Sequence, residues 1–251
     1  MLKLENLTTG YGNTPILWNL SAAFPQGQVT ALIGPNGSGK STLLKAMAGI
    51  LPSTGRVLLD GTDLTALSPK ERAKQIAYLP QNRPIPEITA QRLVLHGRFP
   101  YLGYPRRYRT EDYKKANAAL ETMGISDLSH RLLPTLSGGQ RQKVYIAQAL
   151  AQETPIILLD EPTTYLDISH QLALMAQLRT LSDSGKTVIL VLHDLSLALE
   201  YAHHIAILHN HQITAQGTPE TIFSSPAIQE AFDVTIQSHK IPTGTKYFYT
   251  K

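Results

Sequence analysis

The sequence predicts an α/β fold with parallel strands at its centre. Three features carry this expectation. Short apolar, β-rich runs alternate with helix-prone segments over much of the chain. Two runs, Ile156-Ile157-Leu158-Leu159 and Val188-Ile189-Leu190-Val191-Leu192, are continuously apolar, the pattern of buried strands. A loop with three glycines and a proline, Gly34 to Gly39, joins a strand-like run to a helix-like one.

In order, Val29 to Ile33 predicts a strand, and Ser41 to Ala48 a helix with Gly49 as its stop. Arg56 to Leu59 predicts a strand closed by the turn Asp60-Gly61. Ser68-Pro69-Lys70-Glu71 is a capping box with proline at the first helical position, so a short helix precedes the strand Ile76 to Leu79. From Arg83 to about Gln152 the pattern turns helical. Ala116, Ala119, Leu120 and Met123 share one face of a helix over 114–123 capped by Gly124, and Val144, Ala147 and Leu150 share a face of a helix over 140–150. The α/β pattern then returns: strand 156–160, helix 172–181, strand 187–192, helix 195–201, strands 205–208 and 213–216, and helical turns after Pro219 and Pro226.

Composition excludes several classes. The chain has 251 residues, enough for a sizeable core, with 42% hydrophobic residues and a net charge of 23 − 19 = +4. A disordered chain would be less apolar and more strongly charged. Zero cysteines exclude a disulfide framework, a thiolate metal site and a cysteine nucleophile. No apolar run approaches the ~20 residues of a membrane-spanning helix, and no signal peptide is expected at the Met1 end.

Gly34-Pro35-Asn36-Gly37-Ser38-Gly39-Lys40-Ser41-Thr42 fits the phosphate-binding P-loop pattern in its required strand–loop–helix setting. Glycines let the backbone curl with its N–H groups inward. The helix beginning near Lys40 adds unpaired N–H groups and a positive dipole end. Lys40 is placed to reach the β- and γ-phosphates and Ser41 to bind Mg²⁺. Asp160 and Glu161 end a buried-type strand, at the edge where open α/β sheets bind ligands. Asp160 suits Mg²⁺, and Glu161 suits proton abstraction from a water attacking the γ-phosphate.

Leu136-Ser137-Gly138-Gly139-Gln140, in a chain that also carries this P-loop and acid pair, resembles the signature of the ATP-binding-cassette ATPases. The resemblance spans essentially the whole chain. It implies a P-loop NTPase (RecA-like) core at 1–82 and 156–251 with N-terminal antiparallel strands, and an inserted α-helical subdomain at 83–155. It implies ATP and Mg²⁺ as ligands, Tyr11 stacked on adenine, Gln81 meeting Mg²⁺ and the γ-phosphate, and His193 as the switch histidine. Tyr165-Leu166-Asp167 resembles the loop that crosses to a partner subunit. Ser137 can cap the following helix while Gly138 and Gly139 let its N-terminus approach phosphate. The family sets that terminus against the ATP of the other subunit, so one P-loop plus one signature implies a head-to-tail homodimer.

Asp160 to Gln171, with Tyr165 and Ser169-His170-Gln171, looks like the importer subfamily for iron–siderophore, haem and cobalamin uptake, as does Gly97-Arg98-Phe99-Pro100-Tyr101. The resemblance implies a peripheral subunit on the cytoplasmic face of the inner membrane. Its partners would be polytopic permease subunits docking near 83–104 and, indirectly, a substrate-binding protein. Arg83, Pro84, Ile85, Pro86 and the segment Arg98 to Tyr104 are the candidate docking surface, with a variable surface loop as the alternative. The cargo would pass through the permease and leave no site here. Residues 219–251 are too few for an added regulatory domain. A soluble assembly ATPase of the iron–sulfur type is the rival function.

The cluster Arg106-Arg107-Tyr108-Arg109 with Lys114-Lys115 admits nucleic acid, anionic lipid or a solvated face balanced by Glu111 and Asp112. The solvated face is favoured and no nucleic-acid partner is expected. His209 and His211 would share a strand face, near His203 and His204, but no acid completes a metal site.

Overall fold

A computed structural model describes residues 1–12, 14–164, 166–242 and 244–250. β1 (Leu2–Tyr11) and β2 (Thr14–Phe24) pair antiparallel. β3 (Val29–Ile33) runs into the glycine loop, and α1 (Lys40–Met47) follows. β4 (Ser53–Leu59) and β5 (Thr62–Asp63) complete a four-stranded antiparallel sheet in the order β2-β1-β4-β5. α2 (Pro69–Arg72) starts where the capping box predicts, with Ser68 Oγ accepting from the Glu71 N–H at 3.3 Å. β6 (Ile76–Leu79) follows.

Among the described residues between 83 and 155, the regular elements are helical: α3 (Ala90–His96), α4 (Thr110–Thr122), α5 (Gly138–Ala151) and short 3-10 turns. β7 (Ile156–Leu159), α6 (Ile168–Asp183), β8 (Thr187–Val191), α7 (Leu195–Tyr201), β9 (His204–His209) and β10 (Gln212–Gly217) restore the alternation. α8 (Pro219–Phe223) and α9 (Ala227–Phe232) precede a hairpin of β11 (Thr235–Ile241) and β12 (Gly244–Thr250).

The central sheet has the order β10-β9-β3-β8-β7-β6, parallel except for β10 at its edge. Both faces are covered, which explains the continuously apolar strands. Leu32, Leu158, Ile189 and Val191 face the antiparallel sheet and α1, packing with Leu4, Leu17, Leu43 and Met47. Their neighbours Ala31, Ile33, Ile157, Leu159, Val188 and Leu190 face the opposite way, with the helices. The period of two along each strand thus feeds two cores.

Three elements differ from expectation. α4 and α6 begin earlier than their apolar periodicity, because Asp112 accepts from the Arg109 N–H at 2.9 Å and Asp167 from the His170 N–H at 2.8 Å. The caps, not the hydrophobic stripe, set the starts. The β11–β12 hairpin has no counterpart among the expected elements, since most of β11 is exposed and only Ile236 and Tyr247 of the pair pack on the core. It is anchored by Ser196 Oγ donating to the Tyr247 carbonyl at 2.9 Å and by the Phe223–Tyr247 ring contact at 5.3 Å. His209 and His211 do not share a strand face: His209 ends β9, and His211 lies in the β9–β10 turn with φ +65°. His203 Nδ1 accepts from the Val29 N–H, and burial holds His203 and His204 below the usual imidazole range. No three metal-binding side chains of His, Cys, Asp or Glu type cluster among the described residues.

Candidate nucleotide site

Because β3, β6, β7 and β8 are parallel, their carboxyl ends fall on one edge of the sheet. Four separate sequence segments arrive there: the glycine loop after β3, Gln81 after β6, Asp160-Glu161 after β7 and His193 after β8.

The loop over 34–39 closes onto α1 through Gly39, which caps the helix at φ +105°, a conformation that favours glycine. A Cβ there would also meet Leu17 Cδ2 at 2.8 Å. Lys40 is 6% exposed, and its ammonium donates to the Gly34 and Pro35 carbonyls at 2.8 and 2.9 Å. Burial pulls its pKa below the usual lysine range, opposed by the Glu161 and Asp160 carboxylates. Ser38 Oγ is buried without a hydrogen-bond partner, a polar atom inside the cup that suits a phosphate oxygen. Pro35, Asn36, Gly37 and Thr42 complete this stretch.

Ser41 Oγ donates to Asp160 Oδ1 at 2.9 Å, and Tyr78 Oη donates to Oδ2 at 3.2 Å. Asp160 is 3% exposed; burial raises its pKa, opposed by those two hydrogen bonds. Tyr78 is pushed up by burial and by the same carboxylate. A buried carboxyl beside a hydroxyl fits Mg²⁺, which takes hard oxygens, keeps waters and is completed by substrate phosphates.

Glu161 is held from two sides. Gln81 Nε2 donates to Oε2 at 2.5 Å, with Thr164 Oγ1 at 3.1 Å, and His193 Nε2 lies 2.6 Å from Oε1. Tyr11 is half exposed beside α1, with Lys45 5.8 Å over its ring; a hydrogen bond with Thr42 lowers its phenol pKa despite desolvation. Its open face can take an aromatic base.

The signature begins α5 as a capping box: Ser137 Oγ accepts from the Gln140 N–H at 3.3 Å, and Gln140 Oε1 from the Ser137 N–H at 3.0 Å. Gly138 lines a cleft of about 260 Å³ with Gln81, Arg83, Gln142, Glu161 and Thr164, a lining that includes none of residues 34–42. Asp167 caps α6 and is exposed. Tyr165 lies outside the described residues.

Two expected surface arginines are interior. Arg98 is 5% exposed and pairs with Asp112 and Glu153 at 3.1 and 3.0 Å. Arg83 is partly buried, donating to Gln142 Oε1 at 2.7 Å with its guanidinium 4.5 Å from the Tyr145 ring. The docking segment therefore offers solvent Ile85, Phe99, Tyr101 and Tyr104 instead. Asp112 does not balance the basic cluster, being spent on Arg98. The Tyr108 ring packs between Phe99 and Tyr113 under Arg92, so it is not free to stack on a base. Sequence does not show which arginine finds buried acids, and a strand tyrosine carries no motif, so the places of Arg98 and Tyr78 are set only by the fold.

A phosphate cup, a buried metal-type acid and a bracketed glutamate on one sheet edge define a P-loop nucleoside triphosphatase. The signature narrows this, and the chain belongs to the ABC transporter family, whose sequence pattern matches residues 17–164. The ferric enterobactin transport ATP-binding protein FepC of Escherichia coli (strain K12) is 45% identical over 234 residues, 92% of this chain and 86% of FepC. The iron(3+)-hydroxamate import ATP-binding protein FhuC of Bacillus subtilis (strain 168) is 41% identical over 236 residues, 93% of this chain and 88% of FhuC. An inward-facing metal-chelate type ABC transporter structure matches with TM-score 0.85 and 27% identity, covering 100% of this chain and 97% of that one. The cassette MJ0796, dimeric and bound to ADP and Pi, matches with TM-score 0.75 and 31% identity, covering 87% and 99%. This chain is accordingly an ABC ATPase, and such cassettes bind ATP and ADP, form dimers and work with permease subunits. FepC and FhuC are named as iron-chelate transport and import ATP-binding proteins, which supports an importer ATPase and not the iron–sulfur assembly reading. No described helix is long and apolar enough to cross a membrane.

Proposed function

We propose that this chain energises uptake of an iron–siderophore-type chelate by hydrolysing ATP at the interface of a head-to-tail homodimer. The observation that carries the reading is Glu161 held between Gln81 and His193, beside the Ser41–Asp160 pair. The backbone of 34–39 and the Lys40 ammonium hold the phosphates, Thr42 continues the loop into α1, and Tyr11 stacks on the base. Ser41, Asp160 and Gln81 would hold Mg²⁺, which would neutralise phosphate charge when bound. Glu161 orients a water and accepts its proton as the γ-phosphoryl leaves; His193 fixes the carboxylate and meets the γ-phosphate. Ser137, Gly138, Gly139, Gln140 and Asp167 serve the nucleotide of the second copy, since an α5 N-terminus is a ready anion site.

The chain divides into a core of 1–82 and 156–251 and a helical part of 83–155, and the permease docks near 83–104. The assembly lies on the cytoplasmic face of the membrane with a substrate-binding protein upstream of the permease. FepC and FhuC carry different chelates in their names at similar identity to this chain, which supports cargo choice residing in other subunits. The test is Glu161→Gln: ATP binding within about twofold of the parent, turnover reduced at least ~10²-fold as for loss of a general base, and an ATP-trapped dimer on gel filtration. Turnover at the parent rate removes Glu161 from the role.

A further inference from the structure

The α5 and α6 N-termini meet through one side chain. His170, in the first turn of α6, places Nδ1 2.8 Å from both Asp167 carboxylate oxygens. The far edge of the same ring lies on Gly139: a Cβ at that glycine would sit 3.0 Å from His170 Cδ2 and 3.3 Å from Nε2. The cap of α6 does not need the imidazole, because Asp167 takes the His170 backbone N–H independently at 2.8 Å. The ring is half exposed, so burial does not account for its placement.

We propose that His170 is a positioning residue that locks Asp167 to the signature helix, so that the two segments reach the second copy's nucleotide as one unit. The inference rests on the head-to-tail reading above. The geometry supports it in two ways. Nδ1–H held by a carboxylate fixes the plane of the ring. The fixed ring then abuts the second signature glycine, so α6 cannot turn about its cap without displacing the N–H groups of α5. An ordinary exposed ion pair, by contrast, adds little to stability and has no consequence for association.

The experiment uses the full chain carrying Glu161→Gln, which should accumulate the ATP dimer. His170→Ala keeps the backbone cap and a good helix residue, so folding is preserved. His170→Asn keeps an N–H that can reach Asp167. Binding of a fluorescent ATP analogue to the monomer is expected to stay within about twofold for both, since the hydrogen-bond partners of the P-loop Lys40 and Ser41 do not include His170. ATP-driven dimerisation, measured by analytical ultracentrifugation, is expected to weaken about tenfold in His170→Ala, the loss of one charge-assisted hydrogen bond, and to recover most of that in His170→Asn. If the Glu161→Gln parent stays monomeric with ATP, the head-to-tail reading falls and takes the inference with it. If the parent dimerises and His170→Ala dimerises equally well, the inference alone is overturned. His170→Asn as weak as His170→Ala would overturn the link through Asp167.

Discussion

Replacing Arg98 with methionine separates a structural arginine from a docking one. Its side chain is 6% exposed and that of Asp112 8%. Nε donates to Asp112 Oδ1 at 3.1 Å, and Nη1 to Glu153 at 3.0 Å and to the Ala151 carbonyl in the last turn of α5 at 2.8 Å. The guanidinium also lies 4.0 Å from the Tyr101 ring centroid. Removing one partner of a buried pair costs about 3–5 kcal/mol because the other charge is left uncompensated. Asp112 retains the Arg109 N–H, which places Arg98→Met near the lower end of that range. For a chain of this size each kcal/mol shifts Tm by ~2–4 °C, so a fall of about 6–12 °C is expected. Circular dichroism melts of the purified chain read it. Arg98→Met/Asp112→Asn removes both charges while leaving a side-chain oxygen that can accept from the Arg109 N–H, and is expected to recover part of the loss. Tyr104→Ala, at a fully exposed ring, should stay within ~0.5 kcal/mol of the parent. A melt of Arg98→Met within about 2 °C of the parent, under 1 kcal/mol on the same conversion, would refute the buried-cluster account.

Further outcomes follow from the metal-side groups. Tyr78→Phe removes one of two donors to Asp160 while keeping the ring, so the Mg²⁺ concentration for half-maximal nucleotide binding should rise by about tenfold, the value of one hydrogen bond to a charged group at its weaker end. An unchanged Mg²⁺ midpoint, followed by fluorescence without turnover, would count against that bond. Asp160 has its pKa raised by burial, so its folded form favours the protonated acid. Its contribution to stability is therefore fully present below the ordinary carboxyl pKa and is lost as pH rises through the raised one; at neutral pH the ionised group is a cost. Asp160→Asn should thus melt no lower than the parent at pH 7 without Mg²⁺, yet lose the stabilisation that Mg²⁺ and ATP confer on the parent.

The motifs were legible because backbone chemistry restricts them locally. A glycine loop between strand and helix, and a serine with glutamine three residues on, satisfy N–H groups wherever they occur. The continuously apolar 156–159 and 188–191 runs likewise announced strands covered on both faces. What stayed hidden was pairing between distant residues. Nothing in the order of residues distinguishes Arg98, buried against Asp112 and Glu153, from the exposed arginines at 106 and 107. Nothing marks Tyr78 as a donor to Asp160 or His170 as the residue wedged against Gly139. The hairpin over 235–250 was equally invisible, since its support comes from distant Ser196 and Phe223 and from Ile236 and Tyr247 packing on the helical core.

By itself, then, the sequence determined the fold class, the phosphate loop, the acid pair and the signature, because each depends on neighbours within a few residues. The tertiary structure alone decided which side chains meet. Parallel strand order brings residues 34–42, 81, 160–161 and 193 to one edge, and burial selects which charges must be paired there. That selection depends on desolvation, which is a property of the packed molecule and of no single stretch of chain.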